Sequence, residues 1–301
     1  MKEGSVKVTV VIPHYRDGER LSKLLPGIAS QTFKDYEVVI IDDCSQDDDV
    51  MDHIRAFIKD YDNISLLQNN ENMLFVKTCN RGIKVARGEY ICLLNSDTEV
   101  AGDFLARNVE VMDCDPSIGV LSCIIVDQHG NNWFSGGRFQ RGDPVNLKDD
   151  FEGIRCVDFV AGTAIFYRRE LFDKVGLLDE KYIMYHEDVE FGLRVKAKTD
   201  YELKVLSDKL VTHYIRYQDS GPPDLFRLNR IFYYGHRNHI LFLKQYSPAF
   251  VPWVIVRHLW RITTLLVMSA LSILIMRPRS CTFRLGQVRS IAKATIDGLR
   301  G

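Results

Sequence analysis

The 301-residue sequence has no cysteines at CxxC spacing, no internal repeat, no low-complexity tract and no long apolar run after its opening MKEGSVKV. Each absence excludes a class. Seven cysteines, Cys44, Cys79, Cys92, Cys114, Cys123, Cys156 and Cys281, are an odd, scattered set. They argue against a disulfide framework or a zinc ribbon and fit a reducing cytoplasm. The opening residues lack a signal-peptide pattern. Ile262 to Met276 runs fifteen residues without a charge, short of the ~20 that a spanning helix needs. The segment after the first apolar run also lacks a Gly-rich, basic phosphate loop, which weakens a nucleotidyltransferase reading.

What is present is an ordinary globular composition, 46% apolar and 26% charged. The formal charge of −1 hides an asymmetry. From Phe250 onward there are eight basic residues and one acid, Asp297, leaving 31 basic against 39 acidic residues before it. Trp253, Trp260, Arg257 and Arg261 precede the uncharged stretch, and Arg277 and Arg279 follow it. That pattern suits a helix lying in a membrane interface, with a helix packed in a core as the alternative.

The first hundred residues alternate. Val8 to Ile12, Glu37 to Ile41, Ile64 to Leu67 and Tyr90 to Leu94 read as strands, with helices over Gly18 to Ser30, Asp49 to Lys59 and Val76 to Arg87 between them. This is the pattern of a parallel, Rossmann-like sheet with right-handed crossovers. Further on, Asp103 to Met112 reads as a helix, Gly119 to Val126 as a strand, and Asp127 to Gly153 as a long loop. Val157 to Tyr167 reads as a strand interrupted by Gly162, His186 to Lys196 as a helix, Lys204 to Ser207 as a strand and Leu225 to Tyr246 as a helix. The expected division is a catalytic domain over 1–246, with a nucleotide-binding half 1–100 and an acceptor half 101–246, and a basic helical segment over 247–301.

Tyr90 to Leu94 has no polar alternation and so reads as a strand covered on both faces. Ligands of open α/β sheets bind beyond the carboxyl ends of strands, and Asn95, Ser96, Asp97, Thr98 and Glu99 stand there. Oxygen ligands at that place suit a hard divalent cation carrying a phosphate; a helix cap is the alternative. Two further acidic pairs follow turns or open helices, Asp42 with Asp43 and Glu187 with Asp188. For the second pair, compensation of a helix dipole is the competing explanation.

Four ordered segments carry a resemblance. VVIPHYR (Val10 to Arg16), QTFKDYEVVIIDDCSQD (Gln31 to Asp47), NENMLFVKTCNRGIKVARGEYICLLNSDTEV (Asn70 to Val100) and FVAGTAIFYRRELFDKVGLLDEKYIMYHEDVEFGLRV (Phe159 to Val195) together resemble the family-2 glycosyltransferases of GT-A fold, particularly their rhamnosyltransferase-like members. The resemblance runs from Val8 to His213. It implies an α/β GT-A fold for that stretch, while the C-terminal helical segment beyond it is expected, from its own apolar and basic pattern, to associate with a membrane. It implies Pro13, Tyr15 and Asp43 at the nucleobase, Asn95 and Ser96 at the nucleotide sugar, and Asp97 with His213 of VTHY holding Mg²⁺ or Mn²⁺. Asp188 would be the base, with Glu187 its rival. Three positions depart from the family pattern: Arg16 where Asn is frequent, Leu74 where Gly is usual, and Asn95 for the first acid of the DXD-type motif.

The expected activity is inverting, metal-dependent transfer of a sugar, with rhamnose one candidate, from a nucleotide-sugar donor to a glycan or glycolipid acceptor. The expected location is cytoplasmic, peripheral on the inner face of the cell membrane, with no nucleic-acid partner. The alternatives are a sugar nucleotidyltransferase and a non-catalytic, membrane-bound partner of another transferase.

Overall fold

The computed structural model describes residues 6–46, 48–140, 143–214, 225–274 and 278–301. Asp47 and the stretch Ile275 to Arg277, which end a motif and the apolar run, lie outside the described residues. There are two compact units: Met1–Phe139 with Pro144–Ile183 and Glu187–Arg216, and Gln140–Asp143 with Met184–His186 and Tyr217–Gly301.

In the first unit the expected alternation is found, as β1 (Val8–His14), α1 (Gly18–Ala29), β2 (Tyr36–Asp42), α2 (Asp48–Ile58), β3 (Ile64–Gln68), α3 (Phe75–Val85) and β4 (Tyr90–Leu94). Every residue of β1, β2 and β4 is buried, which is why these strands read as unbroken apolar runs. Each fully buried Val, Ile or Leu there contributes about 1.5–3 kcal/mol. Helix α3 lies close on β1 because Gly82 has no side chain; a Cβ there would stand 2.3 Å from Val11 Cγ1.

The second half of this unit contains β5 (Thr98–Val100), α4 (Phe104–Cys114), β6 (Ile118–Asp127), β7 (Asn132–Phe134), β8 (Gly136–Gln140), β9 (Asp143–Leu147), β10 (Ile154–Cys156), β11 (Ala164–Arg168), α5 (Glu170–Val175), α6 (Glu187–Lys198) and β12 (Glu202–His213). The main sheet has the order β10-β12-β6-β11-β4-β1-β2-β3, with β5 on β12 and β7 on β6. Pairing is parallel from β3 to β4 and between β6 and β12, while β11 runs antiparallel to both of its neighbours. A mixed α/β sheet results, with its parallel half where the alternation is regular.

Three segments differ from the sequence reading. The stretch 127–153, read as a loop, holds β7, β8 and β9, and the last two form a separate small sheet; strands of three to five residues are too short to show a period. Of the expected Val157 to Tyr167 strand only 164–167 lies in a strand, β11, which runs on to Arg168. Strand β12 is twelve residues long instead of four, because register shifts between Leu206 and Lys209 and between Lys209 and Val211 break its alternation.

The second unit consists largely of α7 (Leu225–Tyr246), α8 (Val251–Leu274) and α9 (Pro278–Arg300). Ile240 to Leu243, Val254, Ile291 and Ala294 form its interior. A polar thread runs through it: His236 Nδ1 lies 2.9 Å from His258 Nε2, and His258 Nδ1 lies 2.9 Å from Thr295 Oγ1. Burial lowers the pKa of His236 to about 3 and of His258 to about 4. Both rings are therefore neutral at physiological pH, which leaves each with one nitrogen able to donate and one able to accept.

Helix α8 is rich in apolar residues, yet over 251–270, where burial is described, only a narrow stripe, Val254, His258 and Ser269, is buried. Trp253, Val256, Leu259 and Trp260 are 55–70% exposed. Among the described residues the helical stretch Pro248–Ala270 is long and apolar enough to cross a membrane. The uncharged run read from the sequence, Ile262 to Met276, is shorter because it begins only after Arg261. Of the two cations inside this stretch, Arg257 is absorbed locally, on Asp143 Oδ2 at 2.7 Å and over the Trp253 ring.

Candidate active site

The site begins where β1, β2 and β4 end. Pro13 is buried in β1, and Tyr15 is exposed just beyond it, with the Arg16 guanidinium over its ring. The His14 carbonyl accepts the Asp43 N–H. Strand alternation therefore turns the Pro13 nitrogen, which has no hydrogen to donate, to the β4 side. Pairing with β4 stops earlier, at Val11 and Leu93.

Asp42 and Asp43 divide their work. Asp42 Oδ2 accepts from Ser45 N at 3.1 Å and shapes the turn. Asp43 accepts from Asn69 Nδ2 at 2.7 Å, Met73 N at 2.8 Å and Leu74 N at 2.9 Å. It thus fixes the 69–74 loop and retains about one lone-pair direction for another donor. Leu74, the departure from the family's glycine, has φ +68° and ψ +170°, a region essentially reserved for glycine and costing ~1–3 kcal/mol. The backbone has kept the glycine conformation although the side chain is leucine, and the Asp43 bond supplies part of the restraint.

Asp97 and His213 are 116 positions apart in sequence and meet because β5 pairs antiparallel with β12, His213 opposite Thr98. The Tyr214 N–H donates to the Asp97 carbonyl at 2.9 Å, and the Tyr214 carbonyl accepts from Arg20. This clamp leaves His213 Nε2 3.5 Å from Asp97 Oδ1. The edge of the Trp133 ring packs on the imidazole, with centroids 4.6 Å apart. Burial works to raise the Asp97 carboxyl, but His213 and Arg20 outweigh it and hold the pKa below the usual range. Asp97 is therefore ionised at neutral pH.

Glu187 and Asp188 open α6. Asp188 Oδ2 accepts the Gly162 N–H at 2.7 Å, and the neighbouring Thr163 carbonyl accepts the Asn95 N–H at 2.9 Å. The adjacent residues Gly162 and Thr163 therefore join the head of α6, through the Gly162 N–H, to the tip of β4, through the Thr163 carbonyl. Gly162 allows the approach: a Cβ there would meet both carboxylates at 3.3 Å. Burial raises both pKa values; Asp188 raises Glu187 further, whereas the Gly162 and Val189 amides partly offset the rise in Asp188. The pair thus holds its last proton to higher pH than free carboxyls do.

Buried polar atoms without a hydrogen-bond partner gather here: Asn95 Oδ1, Asp97 Oδ1, His213 Nδ1 and Glu187 Oε2. Such atoms are uncommon in native proteins and call for a ligand, an ion or a proton. No group of three or more His, Cys, Asp or Glu able to hold a metal occurs among the described residues. Asp97 and His213 are a two-residue donor set, which fits a cation that completes its shell from phosphate and water. Non-glycine residues with positive φ include Arg16, Cys44 and Leu74 at strand and loop ends of the first unit, and Ile183, Tyr185 and His186 in the chain just before α6.

The structure thus places Pro13, Tyr15 and Asp43 at adjoining strand ends and brings Asn95, Asp97 and His213 together. Ser96 lies in the β4–β5 turn. Sequence reading missed Arg20, Asn69 and Trp133. None had a local signal, since each reaches its partner through chain folding alone.

Glycosyl transferase family 2 matches residues 9–176 as a family model. The amylovoran biosynthesis glycosyltransferase AmsB of Erwinia amylovora is 26% identical over 217 residues, 70% of each chain. Glycosyltransferase AglE of Haloferax volcanii is 32% identical over 171 residues, 56% of this chain and 55% of that one. Among solved structures, S. aureus TarS 1–349 in complex with UDP has a TM-score of 0.57 at 19% identity, covering 98% of this chain and 92% of the other. GalNAc-T7 with UDP, GalNAc and Mn²⁺ has a TM-score of 0.63 at 18% identity, covering 81% of this chain and 48% of the other. With more than half of its length matched by the family and the GT-A fold in place, this chain belongs to glycosyl transferase family 2 and is a glycosyltransferase.

Proposed function

We propose that the protein is an inverting, metal-dependent transferase that moves a sugar from a nucleoside diphosphate to a hydroxyl of a lipid-linked or polysaccharide acceptor at a membrane surface. The observation that carries this is the cluster of buried polar atoms that lack a hydrogen-bond partner on Asn95, Asp97, His213 and Glu187 near the ends of β4 and β12. The first unit is the catalytic part in this reading.

Asp97 and His213 would hold Mg²⁺ or Mn²⁺, which when bound supplies Lewis-acid neutralisation of the leaving diphosphate. Asp43 turns its remaining lone pair to the base, Pro13 and Tyr15 border it, and Asn95 and Ser96 meet the sugar nucleotide. Asp188 removes the acceptor hydroxyl proton as that oxygen bonds the anomeric carbon and the bond to the diphosphate breaks. One carboxylate suffices, so the anomeric centre inverts.

Relatives named for amylovoran and for PGL/p-HBAD biosynthesis support a surface-glycan acceptor, and neighbours crystallised with UDP or UDP-GlcNAc support a nucleotide-sugar donor. dTDP-rhamnose, implied by the subgroup resemblance, belongs in the donor panel beside UDP-hexoses. The exposed apolar face of α8, with the basic C-terminal helices, supports a peripheral location on the cytoplasmic face of an anionic membrane in this reading.

Calorimetry with this donor panel, with and without Mn²⁺, tests the site. Metal-dependent affinity is lost in Asp97→Ala and weakened less in His213→Ala, because the carboxylate supplies charge as well as a ligand atom. An Asp97→Ala protein with full metal enhancement overturns the assignment. For the membrane, Trp253→Glu with Trp260→Glu abolishes co-sedimentation with anionic vesicles; unchanged pelleting refutes that part.

A further inference from the structure

Ile183, Tyr185 and His186 have φ of +63°, +67° and +69°, three left-handed non-glycine residues within four positions. Such a strap relaxes unless its surroundings fix it. Ile183 is held by its carbonyl, which accepts the Val76 N–H at 3.0 Å. The remainder is held from α7. Asn238, fully buried, donates from Nδ2 to the Met184 carbonyl at 2.7 Å and to the Tyr185 carbonyl at 2.9 Å. Two acceptors on one amide fix which end is nitrogen, and Arg237 Nη1 donates to the opposite Oδ1 at 2.8 Å. One residue along the helix, the His239 ring stacks on that of His186, and Phe242 packs beside it.

The residue after His186 is Glu187, and the next is Asp188. The strap is therefore the last covalent segment before the acidic pair, and its backbone direction sets where α6 begins. We propose that Asn238 is a positioning residue for Asp188. It touches no substrate; it holds the Met184–Tyr185 carbonyls so that the left-handed strap delivers the Asp188 carboxylate to the Gly162 amide. This rests on the reading of Asp188 as the base. A displacement of about 1 Å in a reacting group costs roughly 10²-fold in rate, so a strap that relaxes acts on turnover and spares donor binding.

Asn238→Asp keeps the shape but sets a carboxylate oxygen against two carbonyl oxygens. The expected result is a fall in kcat of about 10- to 100-fold, with donor Kd within about twofold and an altered acid limb in the pH profile of kcat. In an Asp188→Asn background the same substitution has little further effect on the residual rate, because coupled groups are not additive. Asn238→Ala, which adds no charge, and Asn238→Ser, which keeps one hydroxyl donor, carry the comparison if the aspartate variant does not fold; serine recovers part of what alanine loses. An unchanged kcat, a donor affinity that falls in step with kcat, or full multiplication of the two losses overturns the proposal. An active Asp188→Asn enzyme refutes the base reading itself, whereas an inactive Asp188→Asn beside a fully active Asn238→Asp refutes only the positioning role.

Discussion

The two ends of the main sheet are built from similar residues and finished in opposite ways. At the amino end of the parallel strands polar groups are matched. Thr9 Oγ1 donates to Glu37 Oε1 at 2.7 Å, Arg87 closes on the other Glu37 oxygen, and Lys7 bridges Glu89 and Asp113 at 2.9 and 2.8 Å. Tyr90 OH donates to Asp113 and Arg168 Nε to the Ile118 carbonyl. At the carboxyl end, Asn95, Asp97, His213 and Glu187 carry unmatched buried atoms, and Arg16, Cys44 and Leu74 have positive φ. Burial stands against the charged form at both ends. At the amino end, hydrogen bonds from Arg87 and Thr9 overcome it and lower the Glu37 pKa; at the carboxyl end it raises Glu187 and Asp188. A matched end adds stability, while an unmatched end keeps free energy available for a ligand.

The largest expected effect breaks the carboxyl end. Asp188→Asn lowers transfer by about 10²–10⁴ with donor affinity retained, measured by single-turnover assay and calorimetry. If Glu187→Gln is the inactive variant instead, the base moves by one residue; if both variants are active, α6 does not supply it. Next comes the amino end, where the expectation reverses. Thr9→Val removes a buried donor to Glu37 and lowers unfolding free energy by about 1–3 kcal/mol in urea titration, with kcat intact. A drop in kcat without loss of stability would erase the contrast between the two ends.

A pH experiment sharpens the contrast further. The Glu187 pKa is raised by folding, so the unfolded state releases its proton first as pH rises. The slope of unfolding free energy against pH is negative from the unfolded carboxyl range upward to the folded pKa. Glu187→Gln removes that slope, so the variant gains thermal stability relative to the parent at pH 7–8 and gains little at about pH 4. The lowered Glu37 pKa has the opposite sign, and its stabilisation is lost as pH falls through the folded value. The smallest effect is at Leu74. Leu74→Gly relieves ~1–3 kcal/mol of backbone strain against ~0.5–1 kcal/mol of added unfolded-state entropy. The net is a Tm higher by a few degrees, read by calorimetric scan; a lower Tm would show that the leucine contacts outweigh the strain.

How much was legible follows from the range of each interaction. Strands β1, β2 and β4 were readable because strands covered on both faces must be apolar along their whole length, and the helices between them because one face repeats every 3.6 residues. Asp43, Asp97 and Asp188 were readable as carboxylates at the ends of those elements. The short strands β7 to β9 and the bulged β12 were not, since three to five residues or a broken register leave no period. Helix α8 was legible as apolar and basic, but which of its faces is covered was not.

By itself, the sequence determined the βα order, the placing of acids after strands and the basic, apolar character of the C-terminal segment, because these depend on local periodicity and composition. Only the tertiary structure decided that His213 stands beside Asp97, that Asn69 and the 73–74 amides occupy Asp43, and that Asn238 holds the strap before Glu187. Each of these joins residues roughly 25 to 115 positions apart through a strand pairing, a loop or a buried amide. Nothing in the neighbouring sequence of either partner specifies the other; the pairing exists only once both are in place.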